Sequence, residues 1–239
     1  MGRIMPEVSE DRAEKVVAEM RARGIEVDQK PGLSPAELRE IVAAYDGLAI
    51  RSATKVTREL LDAADNLKVV GRAGIGVDNV DIPAASAKGV VVMNTPFGNS
   101  ITTAEHAIAL MFALARQLPE ADASTQAGKW EKNRFMGVEL FGKTLGLVGC
   151  GNIGSIVAER ALGLKLRVIA HDPYLTEKRA VDLGVEKVDL EEVLHRADVI
   201  SLHTPLTDST RNILGADALA RCKRGVLIVN CARGGLVDE

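Results

Sequence analysis

Aromatic residues are scarce: one Trp, two Tyr and four Phe make up 3% of 239 residues. A surface that stacks exposed bases needs more rings than that. Neither charge dominates, with 30 basic against 33 acidic residues and a formal net charge of −3, so the electrostatic footprint of a nucleic-acid binder is missing. Cysteine is sparse too. Cys150, Cys222 and Cys231 have no metal-ligand spacing and are too few for a disulfide framework; no metal is expected, and a cytoplasmic location fits. The longest purely apolar run, Ala107–Ala115, is far too short to span a bilayer. The N-terminus lacks a basic stretch followed by an apolar one, so no signal peptide is read. What is present, 46% hydrophobic and 26% charged residues with 22 Gly and 8 Pro, is the composition of a globular enzyme of one or two domains.

Short β-branched runs alternate with helical patterns. Strands are expected at Gly47–Ile50, Lys68–Gly71, Val90–Met93, Thr144–Val148, Arg167–Ala170, Val199–Leu202 and Val226–Asn230. Helices are expected at Ser34–Ala44, Thr57–Ala64, Ile153–Leu162, Leu190–Arg196 and Ala216–Cys222. This alternation argues for parallel βαβ units, and apolar strands such as Val226–Val229 fit a sheet covered on both faces. The chain breaks near Asn94–Asn99, which suggests domains at 1–98 and 99–239. Beyond the break, Thr102-Thr-Ala-Glu105 reads as a capping box opening a helix that runs to about Leu118. That helix is apolar almost all round, as if buried between domains or subunits. A polar loop is expected over Glu120–Arg134, carrying the single Trp130 as an interface anchor.

The strongest local signal is Gly149-Cys-Gly151-Asn-Ile-Gly154, which follows a strand pattern and opens a helix pattern. Gly149 permits the tight turn, Gly151 lets backbone approach a pyrophosphate, and Gly154 lets helix and strand pack closely. The next strand ends in His171-Asp172, 18 residues after Gly154. A carboxylate there takes ribose hydroxyls and repels a 2′-phosphate, which favours NAD over NADP. Cys150, inside the motif, reads as a small buried filler rather than a reactive thiol.

Three arginines follow strand-like runs: Arg51, Arg72 and Arg233. Ligands of open α/β sheets bind outside the carboxyl ends of strands, and Arg suits bidentate contact with carboxylate or phosphate. Together the three point to an anionic ligand.

Several blocks make the resemblance specific: Arg51-Ser-Ala-Thr-Lys-Val-Thr57, Val69 to Asp81, Met93 to Ser100, Gly128-Lys-Trp130, the glycine motif, His203-Thr-Pro205 and Val229 to Glu239. On these the chain resembles the D-isomer-specific 2-hydroxyacid dehydrogenases, from about residue 24 to the end. The resemblance implies a Rossmann-type doubly wound parallel sheet for NAD and a flavodoxin-like α/β substrate domain. It implies a phosphorylated 2-hydroxy acid as substrate: 3-phospho-D-glycerate, oxidised with NAD to 3-phosphooxypyruvate in the first step of L-serine biosynthesis. By position Arg233 becomes the catalytic arginine. Arg51, Ser52, Arg72 and Gly74 become substrate-binding. Ile75, Gly149, Gly151, Asn152, Ile153, Gly154, Asp172, Thr204, Pro205, Cys231, Ala232 and Arg233 become cofactor-binding. A homodimer or higher homo-oligomer is implied, with no nucleic-acid or membrane partner.

The chain departs from the family in two places. Gly2–Val8 matches the expected first strand poorly, and Pro6 is awkward in a strand interior, so an altered N-terminus is expected. The family's general-base His and its orienting Glu find no matching positions among the 239 residues. His106, His171, His195 and His203 do not correspond to that His, and the chain by itself is expected to be inactive. Two other readings stay open: a different D-2-hydroxyacid dehydrogenase, or a non-catalytic NAD-binding fragment.

Overall fold

A computed structural model describes the backbone of residues 3–6 and 10–239, with side chains from Glu14 onward. The chain falls into two compact units, Met1–Asn99 and Ser100–Glu239.

The first unit carries β1 (Arg3–Pro6), α1 (Glu10–Ala22), β2 (Glu26–Val27), α2 (Pro35–Ile41), β3 (Gly47–Ile50), α3 (Arg58–Asp62), β4 (Val69–Arg72), α4 (Ile82–Ala87) and β5 (Val91–Asn94). Its five strands are parallel in the order β2-β1-β3-β4-β5, the flavodoxin-like arrangement. Side-chain caps start the helices. Ser34 and Glu37 form a reciprocal capping box on α2, Thr57 caps α3 and Asp81 caps α4, each satisfying N–H groups that a helix start leaves open. Leu48, Ile50, Leu61 and Val70 lie at the centre of a core that α2, α3 and α4 help to close.

The strand at β1 corrects one expectation. Pro6 is the last residue of β1, which pairs with β3 from Ile4 to Pro6. At a strand's end the missing proline N–H removes one ladder bond and interrupts nothing beyond it. Gly2, Glu7 and Val8 of the same stretch lie outside the described residues.

The second unit carries α5 (Ser100–Arg116), α6 (Leu118–Gln126), β6 (Thr144–Val148), α7 (Asn152–Gly163), β7 (Arg167–His171), α8 (Glu177–Leu183), β8 (Glu186–Lys187), α9 (Leu190–Arg196), β9 (Val199–Leu202), α10 (Ala216–Ala220) and β10 (Leu227–Asn230). Its strands are parallel in the order β10-β9-β6-β7-β8. The chain runs outward from β6 through β7 to β8, then returns to β9, so the order reverses between β6 and β9. Strand residues alternate between two cores, as period-2 geometry requires. Leu145, Leu147, Val168 and Val199 join one core with α5 and α7; Val148, Ile169, Ile200 and Leu202 join another with α9. A methyl at Gly146 would stand 2.7 Å from Val193 Cγ1 and 2.9 Å from Ala197 Cβ, so the missing side chain lets α9 lie close on the sheet. Both faces of this sheet are covered.

Two further corrections concern α5 and its sequel. The helix begins at Ser100, so Thr102 sits inside its first turn rather than at a cap; Glu105 pairs instead with Arg160 at 3.6 Å. Within this chain the helix is not wrapped on all sides. Ala104, Ala107, Met111 and Ala115 are buried at i, i+3, i+4 spacing, while Ile101, Leu110 and Leu114 are exposed. The segment after it is not all loop: Gln117 adopts the left-handed conformation (φ 52°) and α6 follows, with Pro119 in its first turn. A polar composition hid a helix whose residues, Glu, Ala and Gln among them, are good helix formers.

Candidate functional site

The second unit gathers its candidate residues at the carboxyl ends of four neighbouring strands. Gly149 follows β6, Asp172 follows β7, Thr204 lies just beyond β9, and Cys231 to Arg233 follow β10. This is the reversal point of the strand order, where open α/β sheets bind ligands.

The three motif glycines have separate structural reasons. Gly149 stands at φ +96°, and a Cβ on it would lie 2.6 Å from the His203 carbonyl oxygen. The turn after β6 therefore packs directly on the strand end of β9. A Cβ on Gly154 would collide with the Gly149 carbonyl oxygen; only glycine lets α7 start so near the strand. Gly151 differs: nothing lies within 4 Å of its missing side chain. It is the N-cap of α7 and supplies no side-chain cap. An open face in front of a helix N-terminus is where a phosphate group fits.

Asp172 is braced against this turn. Its Oδ2 accepts the Cys150 N–H at 2.7 Å and its Oδ1 accepts the Tyr174 N–H at 2.8 Å. Each carboxylate oxygen keeps a second lone pair, so the group can still accept ribose hydroxyls. Cys150 is buried, and burial followed by the Asp172 charge pushes its thiol up to about 11. It is therefore a neutral filler at ordinary pH.

His203 underlies the same turn. Its Nε2 meets Ser201 Oγ at 2.9 Å, and burial pulls the imidazole down to about 4, so the ring is neutral. Beyond β10, Asn230 shapes the turn that carries Arg233. Its Oδ1 accepts the Ala232 N–H at 3.0 Å and its Nδ2 donates to the Arg233 carbonyl at 2.8 Å. The Arg233 guanidinium donates back to the Ala232 carbonyl through Nη1 at 2.8 Å.

The first unit holds the other candidates on two adjacent strand ends. Arg51 and Ser52 follow β3, and Arg72, Gly74 and Ile75 belong to the end of β4 and its loop. The Arg72 guanidinium lies over Gly74, where any Cβ would overlap it. Asn94, at the end of β5, donates through Nδ2 to the Ile75 carbonyl at 2.7 Å, and the Thr95 N–H reaches the Gly74 carbonyl at 3.0 Å. Asn79 binds the carbonyls of Arg51 and Thr54. Reading the sequence missed all three asparagines, Asn79, Asn94 and Asn230. The only signal was their place, Asn94 and Asn230 at strand ends and Asn79 in a loop, where Asn is favoured.

Among the described residues no helix is long and apolar enough to cross a membrane, and no three His, Cys, Asp or Glu residues cluster as metal ligands. Residues 108–239 match the family model for the D-isomer specific 2-hydroxyacid dehydrogenase, NAD binding domain. The chain belongs to the D-isomer-specific 2-hydroxyacid dehydrogenases. The Gly149–Gly154 turn and Asp172 fit the dinucleotide that this domain binds, because the tight glycines shape the turn and Gly151 leaves its outer face clear. A relative of this dehydrogenase chain, the D-3-phosphoglycerate dehydrogenase of Archaeoglobus fulgidus, is 49% identical over 97% of the chain and 44% of its own length. The human D-3-phosphoglycerate dehydrogenase is 49% identical over 90% of the chain and 40% of its own length. The chain thus spans less than half of these curated relatives. Among solved structures, a Thermus thermophilus protein matches all of the chain and 76% of its own (TM-score 0.88, 38% identity). The Aquifex aeolicus D-lactate dehydrogenase complexed with NAD and lactic acid matches 99% of the chain and 70% of its own (TM-score 0.89, 25% identity).

Proposed function

We propose that this chain binds NAD and 3-phospho-D-glycerate for oxidation of the latter to 3-phosphooxypyruvate, the first step of L-serine biosynthesis. The observation that carries the substrate is the 46–50% identity to relatives named D-3-phosphoglycerate dehydrogenase over at least 90% of the chain. NAD, when bound, supplies the hydride acceptor. The chain's own residues do the rest. The N–H groups around Gly151, Asn152 and Ile153 take the pyrophosphate, Asp172 takes the adenosine ribose, and Ile75, Thr204, Pro205, Cys231 and Ala232 line the dinucleotide. Arg233 holds the substrate carboxylate and polarises the oxygen that becomes the carbonyl, electrostatic work that a preorganised cation performs with little reorganisation. Arg51, Ser52, Arg72 and Gly74 bind the substrate's anionic groups.

None of the four histidines is the general base in this reading. His203 is buried and neutral, and His195 pairs with Glu191 at 3.5 Å on the exposed side of α9. The domains of this reading are a substrate-binding part over 1–98 and an NAD-binding part over 99–239. The location is cytoplasmic. The assembly is a homodimer in which a second copy covers the apolar face of α5, where Leu114 is 47% exposed, and meets Trp130, 88% exposed. Glu131 orders the Trp130 loop by accepting from Ser124 Oγ at 2.7 Å and pairing with Arg134 at 3.2 Å.

Calorimetric titration of the purified chain with 3-phospho-D-glycerate, D-glycerate and D-lactate tests the substrate. The phosphorylated acid should bind at least about tenfold more tightly, since charge-assisted contacts to its phosphate add about 1.5–3 kcal/mol. Equal affinity for all three overturns the assignment and favours a lactate-type dehydrogenase.

A further inference from the structure

Asn79 lies in the loop after β4, seven residues beyond Arg72. Its Nδ2 donates to the Thr54 carbonyl at 2.6 Å and to the Arg51 carbonyl at 2.9 Å. Both acceptors belong to the loop after β3. One side chain thus ties the loop of Arg51 and Ser52 to the loop of Arg72 and Gly74. Backbone bonds run alongside: the Val56 N–H reaches the Asn79 carbonyl at 2.8 Å, and the Asp81 N–H reaches the Val56 carbonyl at 2.8 Å. The orientation of the amide is unambiguous, because turning it over would set Oδ1 against two carbonyl oxygens. Oδ1 points the other way and is buried with no hydrogen-bond partner among the described residues. A buried orphan acceptor is unfavourable and uncommon; here it accompanies two cross-loop bonds.

The two bonds have a geometric consequence. In a trans peptide the C=O and N–H point in opposite directions. Drawing the Arg51 and Thr54 carbonyls toward Asn79 turns the N–H groups of Ser52 and Lys55 away from it. Both residues are exposed, and no described residue accepts from either N–H. The loop therefore presents two unpartnered amides, three residues apart, beside the Arg51 and Lys55 side chains, and exposed N–H groups of this kind are donors an anion can use. Asn94 repeats the device next door, since its bond to the Ile75 carbonyl turns the Gly76 N–H outward in the same way.

We propose that Asn79 is a positioning residue for this dehydrogenase's anion site. Without touching substrate, it aims the Ser52 and Lys55 amides at a phosphate or carboxylate. The inference rests on the reading of the first unit as the substrate-binding part. It goes beyond a strut for stability, because it assigns Asn79 a specific influence on anion affinity.

The test uses the whole 239-residue chain, labelled with 15N and titrated with 3-phospho-D-glycerate, D-glycerate and inorganic phosphate. Asn79→Ala removes both donors. Asn79→Asp keeps the shape but sets a carboxylate oxygen opposite the two carbonyls, and Asn79→Ser retains a short donor. The Ser52 and Lys55 amide signals should move on anion binding to the unaltered chain. Affinity should fall about tenfold in Asn79→Ala, the equivalent of one to two lost hydrogen bonds, further in Asn79→Asp, and less in Asn79→Ser. NAD affinity, measured on the same samples, should be unchanged. Variants that bind anions like the unaltered chain overturn the proposal, as do variants that lose NAD affinity in parallel. If phosphoglycerate binds no better than D-glycerate while the variants weaken both, the substrate assignment falls and the role of Asn79 stands. If phosphoglycerate is preferred equally by chain and variants, only the role of Asn79 falls. Failure of every anion to bind the unaltered chain overturns both.

Discussion

Gly151→Ala and Gly154→Ala change neighbouring positions of one turn, and the structure assigns them opposite consequences. At Gly154 the new methyl meets the Gly149 carbonyl oxygen at once and lies 3.1 Å from that carbonyl carbon. Backbone cannot swing aside as a side chain would, so α7 has to move off β6. Overpacking of this kind costs about 1–3 kcal/mol. At about 2–4 °C per kcal/mol for a chain of this size, the midpoint of thermal unfolding should fall by about 2–12 °C. At Gly151 the backbone is at φ −75° with nothing within 4 Å, so the methyl meets no protein atom. The remaining cost is the poorer capping tendency of Ala, about 1 kcal/mol, or a few degrees. In the proposed reading the methyl occupies the face offered to the pyrophosphate, and losing that approach should weaken NAD about 10–100-fold, the equivalent of 1.4–2.8 kcal/mol. Differential scanning fluorimetry and calorimetry on both variants give the two readouts. A Gly151→Ala chain that keeps full NAD affinity, or that loses as much thermal stability as Gly154→Ala, refutes the division of labour.

Three further outcomes follow from single residues. Asp172→Ala should weaken NAD and narrow its advantage over NADP, because the carboxylate proposed to accept the ribose hydroxyls and repel a 2′-phosphate is gone; equal affinity of the unaltered chain for both cofactors contradicts the assignment. Trp130→Ala should loosen the proposed dimer in sedimentation analysis, since the ring is 88% exposed on an ordered loop; a monomeric unaltered chain at micromolar concentration argues against the interface. His203 links stability to pH. Burial lowers its folded pKa to about 4 from an unfolded value near 6.5, so the unfolded chain binds the extra proton between those values. Its contribution is intact above about pH 6.5 and is lost as pH falls toward 4, by at most about 3 kcal/mol. His203→Asn should flatten the pH dependence of urea unfolding relative to the parent chain; an unchanged slope contradicts a neutral buried imidazole.

The elements that carry ligand chemistry were the most legible in the sequence. β3, β6 and β9 lie where the β-branched runs put them, and Gly149 and Gly154 have the steric reason their spacing suggests, while Gly151 leaves an open face. Interior strands of a parallel sheet are apolar on both faces, so they stand out. Two-residue strands do not. β2 and β8, at the sheet edges, carry too few residues to show any period. β1 was hidden by Pro6, and α6 by its polar surface. On α5 the alanines concealed an asymmetry within the chain: Ala104, Ala107 and Ala115 are small and buried, whereas Ile101 and Leu114 are larger and exposed, so counting apolar letters did not show which face this chain itself covers. The asparagine braces were illegible for a different reason. Asn79 acts on carbonyls 25 and 28 residues away, and no local pattern records a side chain's distant acceptor.

The most direct test of the central claim is a crystal structure of this chain soaked with NAD. The account predicts the pyrophosphate against the backbone at Gly151, Asn152 and Ile153, with the adenosine ribose hydroxyls within hydrogen-bond reach of the Asp172 carboxylate. A dinucleotide bound elsewhere, or one that leaves Gly151 and Asp172 untouched, would contradict it.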